Sequence, residues 1–475
     1  MTPDERVRQD RRGPKAPGSV HDVARLLKRL DRPGPRYTSY PTALEFTEAF
    51  DEGAYLAALA RAATTPSEPL SLYLHLPFCE ERCLYCACNV VITRHAEPAA
   101  RYLESLQREI AMVARHLGER RDVTQLHLGG GTPTYFSPER LTNLFARLRE
   151  AFTLLPDAEI AVEVDPRVTS VDHLEALAAA GVNRLSFGVQ DFEPLVQRTI
   201  HREQSVEATH ALMRTARMLG VGSINLDLIY GLPHQTAATM ERTLEHVIGL
   251  RPERLAIYSF AFVPWMHAHQ KRLPQEAMPT GDEKIELLLL ARERLSQAGY
   301  VDVGMDHFAL PDDELCVAQN EGRLWRNFMG YTTARAPDMV AFGMSGIGEV
   351  GGAYVQNEKK LNRYMAAIDA GRLPVTRGWR LDDDDRLRQH VIREWMCHFR
   401  VSRSDVAARF AIDFDATFAT ELEDLAALAR DGLIRFGDDG FEATDLGRML
   451  PRNVAMVFDR YTRARAGEAR FSRTV

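Results

Sequence analysis

The stretch Tyr73-Leu-His-Leu-Pro-Phe-Cys79-Glu-Glu-Arg-Cys83-Leu-Tyr85-Cys86-Ala-Cys88 begins as an apolar strand pattern and continues into a loop with four cysteines. The first three cysteines follow the spacing C-x3-C-x2-C, which can wrap a tight loop around three corners of a cubane iron–sulfur cluster. The fourth iron of such a cluster would lack a protein ligand and could bind a reagent. The spacing therefore predicts Cys79, Cys83 and Cys86 as metal ligands and leaves Cys88 outside the set.

Zinc binding and disulfide formation are the alternative uses of these cysteines. A zinc site would need a second Cys or His pair at matching spacing, and the flanking His75 and His95 do not complete one. Disulfides are disfavoured because only Cys316 and Cys397 remain elsewhere and no signal peptide opens the sequence. We therefore expect reduced thiols and a cytoplasmic location.

Length and composition limit the class of protein. The chain has 475 residues, enough for two domains, because single cores stop growing near ~250–300 residues. Charged residues make up 26% of the chain and the formal net charge is −7, which gives no support to nucleic-acid binding. No apolar run approaches the ~18 residues that a membrane span needs. We expect neither a nucleic-acid partner nor a membrane span.

Strand-like and helix-like segments alternate from residue 71 onward. Helices are indicated at 137–152 and 205–219, the second opened by a Ser cap and closed by Gly220. Repeated strand-helix units imply a parallel sheet with right-handed crossovers. The pattern predicts an α/β fold, an incomplete parallel barrel of the triosephosphate isomerase type with about six β/α units. The six strands are predicted at 71–77, 123–128, 159–164, 184–190, 223–229 and 254–262.

Unusual loops follow five of these strands. In a parallel barrel the chemistry is located at the carboxyl ends of the strands, so the loops should converge on one rim. We expect the functional site there. The loops are, in strand order, the cysteine loop, Gly129-Gly-Gly-Thr-Pro-Thr134, Asp165-Pro166, Gln190 and Tyr230-Gly-Leu-Pro233.

The N-terminal region has a different pattern. The first 19 residues mix Arg, Asp, Pro and Gly with almost no aliphatic side chains and are expected to be disordered; a short helix is predicted at 21–30. The run Gly34-Pro-Arg-Tyr-Thr-Ser-Tyr-Pro-Thr42 predicts a rigid extended segment, either a surface strap or a substrate lid. The predicted domains are an N-terminal arm over 1–45, a barrel over 46–370 and a C-terminal accessory domain over 371–475.

The C-terminal region has the pattern of a small helical module. Helices are predicted at 382–399, from Ser402 and at 416–431; the first opens with four Asp residues, which favour the positive end of a helix dipole. The turn Gly437-Asp-Asp-Gly440 between two apolar runs indicates a hairpin. The combination is winged-helix-like. From residue 381 onward, 15 Lys and Arg compare with 18 Asp and Glu, which favours an accessory cover over a DNA-binding module.

The cysteine loop, with Tyr85 before the third cysteine, resembles the cluster motif of radical S-adenosylmethionine enzymes. In that superfamily three cysteines hold a [4Fe–4S] cluster, and the cofactor's amino and carboxylate groups chelate the open iron. The resemblance narrows to the oxygen-independent coproporphyrinogen III oxidase family and extends from about residue 30 to Val475. The matching segments are 34–42, 73–89, 129–134, 163–167, 183–192, 225–233, 304–309 and 326–333.

The resemblance implies an enzyme of haem biosynthesis. This family removes CO₂ from two propionate groups of coproporphyrinogen III without O₂, leaving the vinyl groups of protoporphyrinogen IX. A 5′-deoxyadenosyl radical would take a hydrogen from the propionate β-carbon before CO₂ and an electron leave. The implied cofactors are a [4Fe–4S] cluster and two molecules of S-adenosyl-L-methionine. The implied partners are the tetrapyrrole substrate and a low-potential electron donor such as flavodoxin or ferredoxin, with the protein expected to be a monomer.

Residue by residue, the resemblance implies two cofactor sites on the rim. Glu163 and Asp227 can accept from amine or hydroxyl groups, and because they fall in apolar strands where an unpaired carboxylate is costly, a functional role is favoured. Arg202 can fork onto a cofactor carboxylate, or it is a solvated surface arginine. The cluster-bound molecule would contact Tyr73, Gly130, Glu163 and Ile347, with Tyr85 beside its adenine; the second would contact Gly131, Thr132, Gln190, Arg202, Asp227 and Ala261.

Cys88, Tyr73 and His75 are the predicted catalytic residues. Taken alone, Cys88 would be a small buried hydrophobic residue. In the resembling family a cysteine recurs here and matters for activity, whereas the related haem chaperones have an aromatic residue. Cys88 therefore favours an oxidase over a haem-transfer protein, and the many polar strand-end loops disfavour a plain iron–sulfur electron carrier.

The substrate residues are predicted from the four propionates of coproporphyrinogen III, which need local cations and hydroxyls. Two positions depart from the family pattern. Ala87 replaces a glycine between the last two cysteines, and Met329 replaces a glutamine, which removes a polar group from the predicted mouth of the barrel. The predicted substrate residues are Arg36, His307, Arg326 and Tyr331.

Overall fold

The computed structural model of the protein describes residues 20–464, 471, 473 and 474, so the predicted disorder of residues 1–19 lies outside the described part. The chain divides into two compact units. The helical unit comprises 1–44, 279–326 and 382–475, and the barrel unit comprises 45–278 and 327–381. The division differs from the predicted domains, because the N-terminal arm and the segment 279–326 group with the C-terminal region.

Six parallel strands of the barrel unit confirm the predicted α/β pattern. Strands that follow one another in the sequence are neighbours in the sheet, and each neighbouring pair is parallel. The carboxyl ends of the strands therefore point to one rim, where the unusual loops begin. The strands are β1 (Leu70–Leu76), β2 (Asp122–Gly130), β3 (Thr153–Val164), β4 (Arg184–Gln190), β5 (Ser223–Tyr230) and β6 (Arg254–Ser259).

A seventh parallel strand, β7 (Asp338–Phe342), pairs with the other edge of β1 and was not predicted. All of its residues are buried, as is typical of a parallel strand covered on both faces. Three antiparallel strands, β8 (Ile347–Val350), β9 (Ala353–Asn357) and β10 (Val375–Arg380), extend the sheet. The order in the barrel unit is β10-β9-β8-β7-β1-β2-β3-β4-β5-β6.

Helices connect the barrel strands. Ser205 accepts a hydrogen bond from the amide of Ala208, which confirms the predicted cap. No helix in the described part of the chain is both long enough and apolar enough to cross a membrane. The α-helices of this unit are Glu52–Ala62, Ala96–Leu117, Pro138–Ala151, Val171–Ala179, Pro194–Ile200, Val206–Met218, Ala237–Leu250 and Leu361–Asp369; the short loop elements are strands Phe78–Cys79, Val91–Ile92 and Gly330–Thr332 and 3-10 turns Pro133–Tyr135, Ala268–Arg272 and Gln275–Ala277.

The parallel register places polar side chains along one face of the barrel strands, here called the polar face. Tyr73 of β1 is level with His127 of β2, and Glu163 of β3 is level with Ser186 of β4. The residues before and after these positions are buried apolar side chains. Because side chains alternate along a strand with a period of two, the apolar residues pack on the opposite face and leave the polar face to form a site.

The helical unit is built from three separate segments of the chain. Strands Arg400–Ser402 and Ile434–Gly437 both pair with Gly440–Ala443, so the predicted hairpin is present. The predicted helix at 416–431 is divided at Phe418. The α-helices are Val20–Leu30, Gly281–Gln297, Glu314–Asn320, Asp383–His398, Arg403–Phe410, Phe414–Thr417, Ala419–Arg430, Asp445–Met449, Pro451–Ala455 and Arg460–Ala464; strands Val301–Gly304 and His307–Ala309 and 3-10 turn Met456–Phe458 complete the unit, and strand Trp325–Asn327 spans its boundary.

One hydrophobic core joins the three segments of the helical unit. Leu27, Ile285 and Trp395 come from the three segments and are buried in the same cluster. Trp395 also donates from its ring nitrogen to the carbonyl of Pro451 at 2.9 Å, so its polar atom is satisfied inside the core. The unit therefore needs all three segments to bury its apolar surface.

The predicted extended segment 34–42 is anchored inside the helical unit. The Tyr37 hydroxyl donates to Asp459 at 2.9 Å. A Cβ at Gly34 would lie 2.7 Å from the sulfur of Met456, so a larger residue here would displace that side chain. The Tyr40–Pro41 peptide is cis. Of the two predicted roles, these contacts support the structural strap.

Candidate active site

The cysteine loop begins directly after β1, at the carboxyl end of the strand. Cys83 is buried, Cys79 and Cys86 are partly buried, and Cys88 is exposed. The alternative in which Cys88 is a buried hydrophobic residue is therefore wrong. All six cysteines, including Cys316 and Cys397, are free thiols.

Each of the three predicted ligand sulfurs has a hydrogen-bond partner of its own, and in the Cys79 pair either atom can donate. Cys79 Sγ is 3.4 Å from the Thr132 hydroxyl, and Cys86 Sγ accepts from the amide of Cys88 at 3.4 Å. Cys83 Sγ accepts from arginine side chains, as described below. Donors around three unpaired thiols fit a thiolate-bound cluster. Among the described residues no three His, Cys, Asp or Glu side chains converge on a single ion, and a four-iron cluster binds each thiolate at a separate corner.

The glycine loop after β2 packs tightly against the end of β1. A Cβ at Gly131 would lie 2.6 Å from the backbone of Pro77, and a Cβ at Gly129 would lie 2.6 Å from the Glu163 carboxyl group. The amides of Gly131 and Thr132 donate to the carbonyls of the β1 end at 2.9 Å. Because these two amides already have protein partners, a cofactor would have to contact other atoms of the glycine loop. The cofactor contacts of this loop stay predictions.

Glu163 is the central carboxylate of the polar face. It accepts from the Gly130 amide at 3.1 Å and lies 3.1 Å from His127 Nε2. Burial alone would raise the pKa of Glu163, but His127, the Gly130 amide and His75 bring the pKa below its ordinary value. The side chain nevertheless keeps 42% of its accessible surface. A charged, accessible carboxylate in mid-barrel is suited to bind an amine or hydroxyl group.

Tyr73 and His75 form a chain of hydrogen bonds beside this carboxylate. His75 Nε2 lies 2.9 Å from the Asn89 carbonyl, and Nδ1 lies 3.0 Å from the Tyr73 hydroxyl. A carbonyl can only accept, so Nε2 carries the proton and Tyr73 donates to Nδ1. Burial lowers the pKa of His75, which keeps the ring neutral. His75 thus fixes both the Tyr73 hydroxyl and the chain just after Cys88.

Asp227 lies on β5 in a pocket of small polar groups. Ser186 donates to one carboxylate oxygen and Asn225 to the other, both at 2.9 Å. Burial, and then the charge of Glu163, raises the pKa of Asp227 to about 6. A cationic or hydroxyl-bearing ligand at this position would favour the ionised form.

Arg202 is not a solvated surface arginine, so that alternative is wrong. The residue is only 7% exposed. Its guanidinium donates to Asp165 at 2.9 Å and to the carbonyl of Gly188 at 2.5 Å, and it reaches Cys83 Sγ at 3.6 Å. A Cβ at Gly188 would lie 2.8 Å from Arg202 Nη2. Glycine at 188 therefore makes room for the guanidinium.

The remaining predicted cofactor residues lie at or after strand ends. Gln190 ends β4 with a positive φ of 69°, an uncommon conformation for a residue with a side chain. The carbonyls of Tyr85 and Ala261 both accept from Gln270, at 3.1 and 3.2 Å, which ties the cysteine loop to the segment after β6. Ile347 begins β8 and is buried.

Three of the four predicted substrate residues come together in the helical unit. Arg36 pairs with Asp306, and Arg326 donates to the carbonyl of Arg36 at 3.2 Å. Burial, followed by the charges of Arg326 and Arg36, lowers the pKa of His307 to about 3. Tyr331 lies in the barrel unit and is buried. The cluster contains two cations, a neutral histidine and the Asp306 carboxylate that pairs with Arg36, and its role in binding substrate carboxylates stays a prediction.

Sequence reasoning missed four side chains that hold the site together. Asp165 pairs with Arg167, and Arg167 contacts Cys83 of the cysteine loop, while His127 and Asn225 position the two site carboxylates. Arg167 falls within a motif already singled out, at 163–167. The spacing of two residues after Asp165 gave no sign that Arg167 pairs with this carboxylate and reaches Cys83.

Comparison with protein families assigns a class to this fold and site. Residues 73–247 match the radical SAM superfamily, and residues 381–450 match the HemN C-terminal domain. The matched regions contain the cysteine loop with the polar face, and the helical C-terminal region. The chain is therefore a radical S-adenosylmethionine protein, and the predicted [4Fe–4S] cluster and S-adenosylmethionine are confirmed as the cofactors of its class.

Individual relatives narrow the class further. The chain is 45% identical to an oxygen-independent coproporphyrinogen III oxidase from Salmonella typhimurium over 450 residues, covering 95% of this chain and 98% of the relative. A Pseudomonas aeruginosa protein of the same name is 45% identical with the same coverage. The solved structure of coproporphyrinogen III oxidase from Escherichia coli aligns with a TM-score of 0.87, 45% identity and coverage of 90% of this chain and 97% of that one. The chain belongs to the oxygen-independent coproporphyrinogen III oxidase family.

Proposed function

We propose that the protein catalyses the oxygen-independent oxidative decarboxylation of two propionate groups of coproporphyrinogen III, giving protoporphyrinogen IX. The observation that carries the proposal is the cysteine loop with an additional exposed thiol, Cys88, at the rim of a barrel whose interior face is polar. Each propionate loses one hydrogen atom from its β-carbon, then CO₂ and one electron, and becomes a vinyl group. The products are an alkene, CO₂, a hydrogen atom held by the radical carrier and one electron for an acceptor.

The cofactors supply the radical, and the protein positions the cofactors and the substrate and excludes water. The [4Fe–4S] cluster with its bound S-adenosylmethionine provides, when present, a one-electron reductive cleavage that yields an adenosyl radical. Cys79, Cys83 and Cys86 would hold the cluster. Glu163 is accessible and charged, so it would bind the amine or ribose hydroxyls of the cofactor, and the Tyr73 ring stacks on His127, which lies beside Glu163.

A second S-adenosylmethionine molecule is part of the proposal. Gln190, Asp227 and Ala261 lie on or after β4, β5 and β6, the strands that follow β3 in the sheet. The Asp227 carboxylate has only small neutral hydrogen-bond donors, Ser186 and Asn225. A ligand that brings hydroxyl or amine groups to this end of the polar face would complete its hydrogen bonding.

Cys88 and the histidine chain are assigned catalytic roles. Cys88 is exposed beside Cys86 and is not needed as a ligand, so its thiol is free for the reacting substrate. Tyr73 and His75 hold the backbone at Asn89, one residue beyond Cys88. The propionate groups would be bound by Arg36, Arg326 and the neutral His307.

The cellular setting follows from the same chemistry. The reaction needs one electron from outside the protein for each radical generated, and a flavodoxin or ferredoxin is the class of donor with a sufficiently low potential. All six thiols are free, which suits a reducing compartment, so we place the protein in the cytoplasm. We expect it to act as a monomer.

An anaerobic assay tests the proposal. Reconstituted protein, a low-potential reductant, S-adenosylmethionine and coproporphyrinogen III should give protoporphyrinogen IX and 5′-deoxyadenosine, read by mass spectrometry. The Cys83→Ser variant should give neither product. Formation of 5′-deoxyadenosine with the tetrapyrrole unchanged would show that the substrate is wrong, and stoichiometric haem transfer without decarboxylation would favour the chaperone alternative.

A further inference from the structure

Arg167 is held in one orientation by the loop that follows β3. Its guanidinium forks onto Asp165, with Nε 3.0 Å from Oδ1 and Nη2 2.7 Å from Oδ2, and its Nη1 donates to the carbonyl of His201 at 3.2 Å. The remaining contact of Nη2 is Cys83 Sγ at 3.5 Å. A bidentate arginine–carboxylate pair is geometrically rigid. The pair with Asp165 therefore fixes the position from which Arg167 donates to the sulfur.

Arg202 brings a second cation to the same sulfur. It donates to Asp165 Oδ2 at 2.9 Å and reaches Cys83 Sγ at 3.6 Å. The two guanidinium groups thus share one buried counter-ion and one thiol. Asp165 is only 5% exposed; burial alone would raise its pKa, but Arg202 and Arg167 lower the pKa below its ordinary value. The carboxylate stays charged and orders both arginines.

The three predicted ligand sulfurs are consequently not equivalent. Cys79 has a neutral hydroxyl donor and Cys86 a neutral amide, whereas Cys83 has two charged donors. Hydrogen bonds to the sulfurs, net charge and solvent exposure set the reduction potential of an iron–sulfur cluster. Charged donors to one thiolate stabilise the more negative, reduced form of the cluster. Burial of the group strengthens the effect, because water screens it less.

We propose that Arg167 raises the reduction potential of the cluster by donating a hydrogen bond to the Cys83 thiolate. The higher potential allows the electron donor to reduce the cluster. The inference rests on the cluster assignment of the proposed function. Arg167 acts through the ligand and is a positioning residue. Arg202 contributes in the same way but is also a predicted cofactor contact, so Arg167 is the cleaner position to test.

The test is a redox titration of the reconstituted cluster followed by electron paramagnetic resonance, without substrate or S-adenosylmethionine. In Arg167→Gln, the ratio of reduced to oxidised cluster at a fixed potential should fall about tenfold, which corresponds to ~59 mV for a one-electron couple. The matched control is Arg242→Gln, which removes a guanidinium that pairs with Glu193 at 2.6 Å. The control should leave the titration unchanged. An unchanged midpoint in Arg167→Gln, at full iron content, would overturn the proposal.

A measurement on wild-type protein covers the case in which Arg167→Gln fails to load a cluster. Protein labelled with ¹⁵N in its arginines alone should show ¹⁵N hyperfine coupling to the reduced cluster in pulsed electron paramagnetic resonance, because the N–H···S bonds carry spin density. Absence of this coupling would also overturn the proposal. Both readouts require only the cluster, so a protein that failed the decarboxylation assay would still answer this question.

Discussion

At the scale of single residues, the four cysteines of the loop have different surroundings, since Cys83 is buried and Cys88 is exposed. We predict that Cys83→Ser abolishes the visible absorbance of the reconstituted cluster, because a buried ligand is lost. Cys88→Ser should retain absorbance and iron, since this thiol is exposed, and should lose turnover by about 10²–10⁴-fold, the range for removal of a group that acts in the chemical step. Equal loss of iron in both variants would show that the ligand assignment is wrong.

Asp227 provides a residue-scale test of the second cofactor site. Replacing Asp227 by Ala removes a charge-assisted hydrogen bond, about 1.5–3 kcal/mol, so the second S-adenosylmethionine should bind roughly 10–150-fold more weakly. Equilibrium dialysis should then show one cofactor per cluster instead of two. The control is Asp122→Ala, at the amino end of β2 and away from the rim. Two cofactors per cluster in Asp227→Ala would show that Asp227 does not hold the second molecule, and one cofactor per cluster in the wild type would remove the second site.

At the scale of elements, a buried carboxylate ties the helix Ala96–Leu117 to the end of β7. Glu109 accepts from the Gly343 amide at 2.8 Å, from Asn357 at 2.7 Å and from the Tyr364 hydroxyl at 2.6 Å. Glu109→Ala leaves these buried donors unsatisfied at about 1–3 kcal/mol each. We predict that the free energy of unfolding falls by at least ~3 kcal/mol in urea denaturation. A loss below ~1 kcal/mol would mean that water replaces the carboxylate.

The same carboxylate predicts a pH dependence of stability. Burial raises the pKa of Glu109 to about 7, in spite of its three hydrogen bonds. Between the unfolded value near ~4.3 and about 7, the folded state binds more protons than the unfolded state, so this stabilising contribution is lost as pH rises through that window. The stability of the wild type relative to Glu109→Gln should therefore decline from pH 5 to pH 8. If the free energies of unfolding of the wild type and Glu109→Gln change in parallel with pH, the raised pKa of Glu109 is contradicted.

The sequence predicts elements better than it predicts which elements meet. Five of the six strands are found within three residues of their predicted bounds, because alternation and strand-end glycines are local signals, whereas β3 begins six residues earlier than predicted. β7 was missed since a run of five apolar-rich residues, with no helix after it, carries no such signal. The ion pair between Arg202 and Asp165 was missed for a different reason: the two residues are 37 positions apart and meet only when the ends of β3 and β4 become neighbours.

At the scale of the whole molecule, the helical unit does not coincide with a continuous C-terminal domain. Predicted boundaries followed changes in composition along the chain, whereas the described core of the unit takes residues from three separate segments, the first containing Leu27, the second Ile285 and the third Trp395. The composition of one segment does not indicate which distant segment provides the apolar residues that pack against it. Leu27 and Ile285 fill the same cluster as Trp395 although no local pattern connects them.

This arrangement predicts the effect of truncation. A chain that ends at residue 381 keeps the helices Val20–Leu30 and Gly281–Gln297 but loses the apolar residues they pack against. Exposed apolar helix faces should make the truncated protein bind a hydrophobic dye and precipitate. The full-length chain purified in parallel is the control. A truncated chain that remains soluble, binds no dye and keeps cooperative melting would show that the barrel and the first two segments are stable without the third.

The division of the helical unit among three segments also has a consequence for biosynthesis. Translation proceeds at about 5–20 residues per second, so roughly 20 to 70 seconds separate the appearance of Val20–Leu30 from that of the first partners supplied after residue 382. During this interval the helices Val20–Leu30 and Gly281–Gln297 can pack against each other, but they lack the apolar partners that the last segment supplies. The core of this unit can therefore be completed only once its last segment has been synthesised, late in synthesis or after it.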